Sequence, residues 1–397
     1  MPLLSNKELL FLRRIAPLIV GSLNKTIRFL SRAACFMSGN NRETSSQLTT
    51  FHDFNTFHEN SKHFQLIEDI MRAVFLDFGS VTRGDMDCTA LEEAISPWQF
   101  FDDTTPEQVP ERIKDAEIIV INKALLDRAT LAYAHRLKLI CIAATGYNNV
   151  DLVAAAERNI PVCNVRGYAT PSVAQHVFML MLNLTCRFVE YRQLVKQGGW
   201  QKSVHFCPLD FGIEELSGKT LGIIGYGELG QAVAHIARAF GMRLLIADHK
   251  DKPPRPGRTA FDQVLSQADF ITLHCPLSEE THNLISQREF ALMKPSAYLI
   301  NTARGGLVNE DDLLHSLSSG RIAGAATDVL QKEPPVEGNP LLNYPRSNLI
   351  ITPHTAWASR DSRQRLLDLI AENIRHFLQN KPFNQIMDAI NPHDAAN

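Results

Sequence analysis

The sequence predicts an α/β protein built on two doubly wound parallel sheets, and three observations carry that expectation. From residue 72 onward, short β-rich runs alternate with helical stretches. The strand candidates are continuous apolar runs, as strands covered by helices on both faces are. A second series of six such strands, again interleaved with helices, follows a long apolar helix.

In the first unit the strand candidates are 73–78, 117–121, 138–143 and 161–165. Helices are expected near 87–96, 126–135 and 150–158, the last capped by Asn149. A long helix starts after Pro171. Its apolar residues Val173, Val177, Phe178, Leu180, Met181 and Leu184 exceed one narrow stripe, which predicts burial between two bodies. The second series is 220–224, 243–247, 270–274, 297–301, 323–327 and 349–352. A final helix, roughly 359–379, is expected to return to the first unit. The expected domains are therefore 72–170 together with 357–390, and 171–356.

Composition narrows the functional classes. A chain of 397 residues suits two or three domains. Its net charge of −3 argues against a nucleic-acid partner. No apolar run is long enough to span a membrane. The seven cysteines are odd in number and never as close as CxxC, which excludes a disulfide scaffold and a compact zinc cluster. No metal is expected, and the cysteine pattern fits a reducing, cytoplasmic setting. The charge is uneven: residues 1–50 hold seven Lys/Arg against two acids, leaving 33 basic and 41 acidic residues elsewhere. Residues 1–70 lack sustained periodicity and read as an extension, either a loose tail or a start placed too early. Organellar targeting is the competing account, since 1–42 is basic and acid-poor. His52, His58 and His63 in this segment show no metal-ligand spacing.

Gly225-Tyr226-Gly227-Glu228-Leu229-Gly230 is a G-x-G-x-x-G run between an apolar strand and a helix. The first glycine permits the tight turn, the second lets a pyrophosphate approach the backbone, and the third lets the helix pack close to its strand. Backbone N–H groups at the helix start, including those of Glu228 and Leu229, face the phosphates. Asp248, 18 residues after Gly230, is placed to bond the adenosine ribose hydroxyls and repel a 2′-phosphate. The cofactor expected is NAD rather than NADP. His249, Lys250 and Lys252 weaken that preference, because a nearby cation can neutralise Asp248.

Three ionisable residues follow strands of the second unit: Arg304, Glu333 and His354. Strand carboxyl ends border the ligand crevice in such sheets. The set fits reversible ketone reduction. Histidine can give a proton to the carbonyl oxygen near neutral pH. A carboxylate such as Glu333 would orient the imidazole and favour its charged form. An arginine would clamp a substrate carboxylate with bidentate bonds. Taken singly, each also suits a surface ion pair, a loop acid or a cap.

Four ordered stretches, 222–230, 301–306 (NTARGG), 325–329 (AATDV) with Glu333-Pro334, and 351–354 (ITPH), resemble the D-isomer-specific 2-hydroxyacid dehydrogenase family over about 72–390. The stretches 144–151 (ATGYNNVD), 164–174 and 354–359 are most similar to its glycerate dehydrogenase, or hydroxypyruvate reductase, branch. The resemblance implies a flavodoxin-like substrate domain and a Rossmann cofactor domain. It implies Arg304 binding substrate, Glu333 supporting, and His354 as acid/base, with His354 and Arg304 also bordering the cofactor. Backbone N–H groups of Thr145 and Gly146 would receive the substrate carboxylate. Cys275, Pro276, Thr302 and Ala303 would line the cofactor, with Asp328 by the nicotinamide amide. It further implies a homodimer acting on a small 2-keto or 2-hydroxy acid.

The expected reaction is reduction of hydroxypyruvate to D-glycerate, with glyoxylate as a second substrate. A 3-phosphoglycerate dehydrogenase would need extra cations for its phosphate, and 141–151 supplies none. A non-enzymatic, corepressor-like NAD-binding regulator remains a different class. Lys123 could touch the far end of a substrate, but lysines are mostly exposed, so a surface lysine is expected. Trp357 suits a pocket wall and inter-domain packing equally. Cys275 is expected to be a small buried hydrophobe, not a nucleophile.

Overall fold

The computed structural model of the chain describes residues 71–381 and 383–386. The expectations for residues 1–70, including the three histidines there, lie outside the described residues. Eleven described strands form two parallel sheets. The first joins β1 (Ala73–Phe75), β2 (Trp98–Phe100), β3 (Ile118–Ile121), β4 (Leu139–Ile142) and β5 (Val162–Cys163) in the order β2-β1-β3-β4-β5. That is the flavodoxin-like order. The second joins β6 (Thr220–Ile224), β7 (Arg243–Ile246), β8 (Phe270–Leu273), β9 (Tyr298–Asn301), β10 (Gly324–Thr327) and β11 (Leu349–Ile351) in the order β11-β10-β9-β8-β6-β7. Strand order reverses between β1 and β3 in one sheet, and between β6 and β8 in the other.

The continuous apolar runs form strands for the reason given above. All four residues of β3, β4 and β8 are buried, because apolar layers cover both faces. Edge strand β2 escapes the sequence expectation: its three residues are half-buried or exposed, and no long apolar run marks it. The helices of the first unit are shorter than expected, at Thr89–Ala94, Arg128–Leu131 and Leu152–Glu157. Asn149 does not cap the last of these. Asp151 does, its side chain accepting from the Ala154 N–H at 2.8 Å. The Asn149 amide instead donates to the carbonyls of Asn122 and Ala124.

The long helix, Thr170–Cys186, buries the six expected apolar residues. All but Val173 join the core on one face of the six-stranded sheet, with Leu221, Ile223, Val233 and Ile300. The buried face of the helix thus packs on the six-stranded sheet. The last helix, Arg360–Leu378, packs on Thr89–Ala94 and β4. Leu366, Leu367, Ile370 and Ile374 enter the core of the first sheet. The following segment reaches β5, where the Ile386 N–H donates to the Val162 carbonyl at 2.8 Å.

Candidate active site

The glycine run lies where β6 meets the helix Glu228–Ala239, at the second sheet's reversal point. Gly225 has φ of +90°, and a Cβ there would lie 2.4 Å from the Cys275 nitrogen. A Cβ on Gly230 would lie 2.2 Å from the Gly225 carbonyl oxygen. Both glycines are therefore required by close backbone approach. Gly227 differs, since a Cβ there meets no atom within 4 Å. It faces open space at the helix N-terminus, where N–H groups favour an anion. The Thr302 hydroxyl is buried and without a protein partner. A cradle at Gly227 and an orphaned donor at Thr302 fit a dinucleotide. Cys275 beside the cradle is partly buried, and burial pushes its thiol up to about 11, away from nucleophile chemistry.

These contacts separate the glycines experimentally. Gly230→Ala should cost roughly 1–3 kcal/mol of stability by overpacking, seen as a lower Tm. Gly227→Ala should leave Tm unchanged yet raise the Kd for NADH at least about tenfold, or 1.4 kcal/mol, by filling the pyrophosphate space. Equal effects on both quantities would contradict the assignment.

Asp248 lies just past β7, its side chain buried. The cation beside it is Arg255, at 2.8 Å, not one of the three basic residues that follow it directly. Lys250 pairs with Glu289 at 2.9 Å. The Glu228 carboxylate accepts from the Thr170 hydroxyl at 2.7 Å, so its backbone alone faces the cradle.

His354 and Glu333 meet: Nδ1 and Oε2 are 2.6 Å apart. The other Glu333 oxygen accepts from the Leu330 N–H at 2.8 Å. Burial opposes ionisation of Glu333, but the His354 hydrogen bond, the Leu330 N–H and the His354 and Lys123 charges outweigh it. The carboxyl is held below its ordinary value. With Nδ1 on Glu333, Nε2 is the atom left for substrate. His354 has φ of +53°, which re-aims the chain after Pro353. Its N–H donates to the Asp328 carbonyl at 2.7 Å. The Asp328 carboxylate, 1% exposed, accepts from the Thr352 hydroxyl and from the N–H groups of Thr355 and Ala356. The visible work of Asp328 is thus to hold the turn that carries His354.

Arg304 follows β9 and is exposed. Its carbonyl accepts from the Asn301 amide at 2.9 Å, and its Nη1 donates to the Ala303 carbonyl at 2.8 Å. Gly305 must be glycine, since a Cβ would sit 2.0 Å from the Leu330 carbonyl carbon. A Cβ on Gly146 would be 3.0 Å from Arg304 Nη2. The guanidinium therefore faces the Thr145–Gly146 loop, as clamping one carboxylate from both sides requires. That loop is fixed from behind. The Asn164 amide donates to the Thr145 carbonyl at 2.7 Å, and the buried Asn373 amide donates to the Asn164 carbonyl at 3.0 Å.

Sequence reasoning did not single out Asp77 or Tyr168, and the folded chain gives Lys123 and Trp357 definite neighbours. Lys123 is open to solvent at the cleft, yet protein crowds its ammonium. Desolvation and the Arg304 charge push its pKa down, against the opposing pull of Glu333 and Asp77. The expectation of an exposed lysine holds, and Arg304 and Glu333 are its charged neighbours. Asp77 holds it there: its carboxylate accepts from the N–H groups of Asn122, Lys123 and Ala124, at the first sheet's reversal point. The available signal was an acid ending an apolar strand. Trp357 packs edge-on to Tyr168, with centroids 6.3 Å apart. Burial pushes the Tyr168 hydroxyl up to about 12 against the pull of the Arg304 charge. Among the described residues, no group of His, Cys, Asp or Glu is arranged to hold a metal. No described helix is long and apolar enough to cross a membrane.

A dinucleotide cradle beside a histidine–carboxylate pair and an arginine defines an NAD-dependent oxidoreductase. Comparison with known proteins places it more closely. Residues 178–356 match the profile of the D-isomer specific 2-hydroxyacid dehydrogenase NAD binding domain. The chain is 43% identical to the glycerate dehydrogenase of Methylorubrum extorquens over 323 residues, covering 79% of this chain and 98% of that protein. It is 38% identical to the hydroxypyruvate reductase of Blautia hydrogenotrophica, covering 80% and 99%. The D-lactate dehydrogenase of Aquifex aeolicus, solved with NAD and lactic acid, superposes with a TM-score of 0.66 at 28% identity, covering 78% and 96%. The chain belongs to the D-isomer specific 2-hydroxyacid dehydrogenase family.

Proposed function

We propose that this enzyme reduces hydroxypyruvate to D-glycerate, with glyoxylate as a second substrate. The observation that carries the reading is the 2.6 Å His354–Glu333 pair beside an arginine that faces the Thr145–Gly146 loop. The names of the two enzymatic relatives above support the substrate. NADH, when bound, supplies the hydride. Arg304 and the N–H groups of Thr145 and Gly146 hold the keto-acid carboxylate, which orients the adjacent carbonyl. His354 gives its Nε2 proton to the carbonyl oxygen, and Glu333 holds the resulting imidazole in place through Nδ1. In the oxidative direction His354 takes that proton back. We assign the five-stranded body, with the last helix, to substrate and the six-stranded body to cofactor.

Lys123 favours a second reading, because an extra cation at the cleft suits a charged distal group such as a phosphate. The test is a panel of hydroxypyruvate, glyoxylate, pyruvate and 3-phosphohydroxypyruvate with NADH. The highest kcat/KM should fall on hydroxypyruvate. A maximum on the phosphorylated acid would establish the second reading. No turnover of any 2-keto acid would favour a corepressor-like NAD-binding regulator and overturn both.

A homodimer is the assembly we favour. Trp200, Val204, Phe206, Leu209 and Ile213 project apolar surface, with Val204 95% and Phe206 89% exposed. Such a patch calls for a partner surface, and sedimentation should give twice the chain mass of 44.5 kDa. Six free cysteines among the described residues support a reducing, cytoplasmic setting, which fractionation of the native cell would check.

A further inference from the structure

The cofactor side of the cleft holds an ion pair that the glycine fingerprint does not explain. Asp248 is the acid placed for the adenosine ribose hydroxyls, yet protein donors nearly saturate its carboxylate. Arg255 directs Nε at both oxygens, at 3.1 and 3.0 Å, and Nη2 at Oδ1, at 2.8 Å. The N–H groups of His249 and Arg255 add bonds of 2.8 and 2.7 Å. The Asp248 side chain is 2% exposed and that of Arg255 is 62% exposed. A guanidinium open to solvent thus covers a buried carboxylate.

The loop carrying Arg255 is pinned at both ends. The Asp248 N–H donates to the Thr259 carbonyl at 2.9 Å, and the Thr259 N–H to the Ile246 carbonyl at 2.8 Å. The Arg258 N–H closes a turn onto the Arg255 carbonyl at 3.0 Å. The Arg258 guanidinium lies 4.9 Å from the ring centroid of Tyr226, which sits inside the glycine run. Two arginines are therefore held at the strand end that borders the adenosine ribose in this fold.

An uncompensated carboxylate there rejects a 2′-phosphate by charge repulsion. Arg255 cancels that charge and presents a planar fork that suits phosphate oxygens. We propose that Arg255, assisted by Arg258, forms a subsite for the 2′-phosphate of NADPH, so that this enzyme binds both dinucleotides and Arg255 sets their ratio. The proposal rests on the NAD-binding family assignment. The Arg255 hydrogen bonds hold the Asp248 carboxyl well below the usual carboxylate range, so the pair persists across neutral pH.

The test is equilibrium binding to the full chain, without turnover. Protein fluorescence follows NADH and NADPH. Calorimetry compares 5′-AMP with adenosine 2′,5′-bisphosphate, which differ only in the phosphate at issue. The wild-type Kd for NADPH should lie within about tenfold of that for NADH, a gap of 1.4 kcal/mol. Added salt should weaken the phosphorylated ligand more. Arg255→Ala removes the cation and bares Asp248, so NADPH binding should fall at least about thirtyfold relative to NADH. Arg255→Lys, which keeps the charge, should recover part of that loss and guards against loop damage in the alanine variant. Wild-type rejection of NADPH beyond a hundredfold, or an unchanged ligand ratio in Arg255→Ala, would overturn the proposal. Failure to bind NADH at all would instead overturn the cofactor site itself.

Discussion

His354→Asn should lower kcat/KM for keto-acid reduction by about 10²–10⁴-fold, the usual contribution of a positioned general acid. Asparagine is the informative replacement, because it tolerates the left-handed backbone that residue 354 adopts at φ +53°, where alanine is strained. Glu333→Gln tests the partner. Glu333 is held below its ordinary value, so it carries charge throughout the neutral range. Glu333→Gln keeps the shape and an acceptor oxygen but removes the charge facing Nδ1, and should lower kcat/KM by about tenfold while leaving the KM for the keto acid little changed. In the wild type the contribution of the charged carboxylate is present above its depressed pKa and is lost as pH falls through it, so the glutamine variant should lack that acid limb. The measurement is a pH–rate profile at saturating NADH. An acid limb retained in Glu333→Gln, or near-normal turnover by His354→Asn, would show that the acid and its partner are wrongly assigned.

Arg304→Ala should raise KM for the keto acid and cut kcat/KM by about 10²–10³-fold, since losing one side of a charged clamp costs roughly 3–4 kcal/mol. Arg304→Lys should recover little, because an ammonium cannot reproduce the planar fork. Binding of NADH should change far less in both variants. Gly146→Ala gives an independent check, as its Cβ would press on Nη2 at 3.0 Å and should damage keto-acid use in the same direction. Equal losses of keto-acid and NADH affinity would move Arg304 from a substrate role to a structural one.

How much of this was legible in the sequence depends on where each interaction's partner sits. The runs at β3, β4 and β8 read correctly because burial on both faces leaves one uninterrupted apolar signal. The edge strand Trp98–Phe100 carries no such signal. The span 126–135 reads as one helix, but only Arg128–Leu131 is helical and the rest closes in turns. Local pattern cannot fix such boundaries. Gly230 was readable because its constraint is local, the Gly225 carbonyl oxygen, and Gly225 because its φ of +90° is a local demand of the turn, although its close approach is to the distant Cys275. Arg304, Glu333 and His354 were readable as strand-end residues, and the family resemblance gave them roles. Arg255 was not, and for Lys123 only the exposure was readable, not its neighbours. Each owes its place to tertiary contacts, Lys123 to Asp77 and Asn149 clamping its loop, and Arg255 to a proline-rich loop folding back on β7. Asn149 was misassigned for the same reason. A cap and a long-range clamp use the same amide, and only the folded chain decides between them.

The proposed carboxylate clamp and the proposed acid pair draw differently on the two bodies. Glu333 and His354 both follow strands of the six-stranded sheet and hold each other with no help from the substrate loop. The clamp needs Arg304 from that sheet and Thr145–Gly146 from the other. The chain links the bodies twice, near 165–170 and again just past His354. Hinge-like motion would therefore vary the grip on the carboxylate while leaving the proton donor intact. On the proposed assignment, a poorly seated acid would meet a complete donor but an incomplete clamp, and selection among substrates would then be exercised at closure and not at proton transfer.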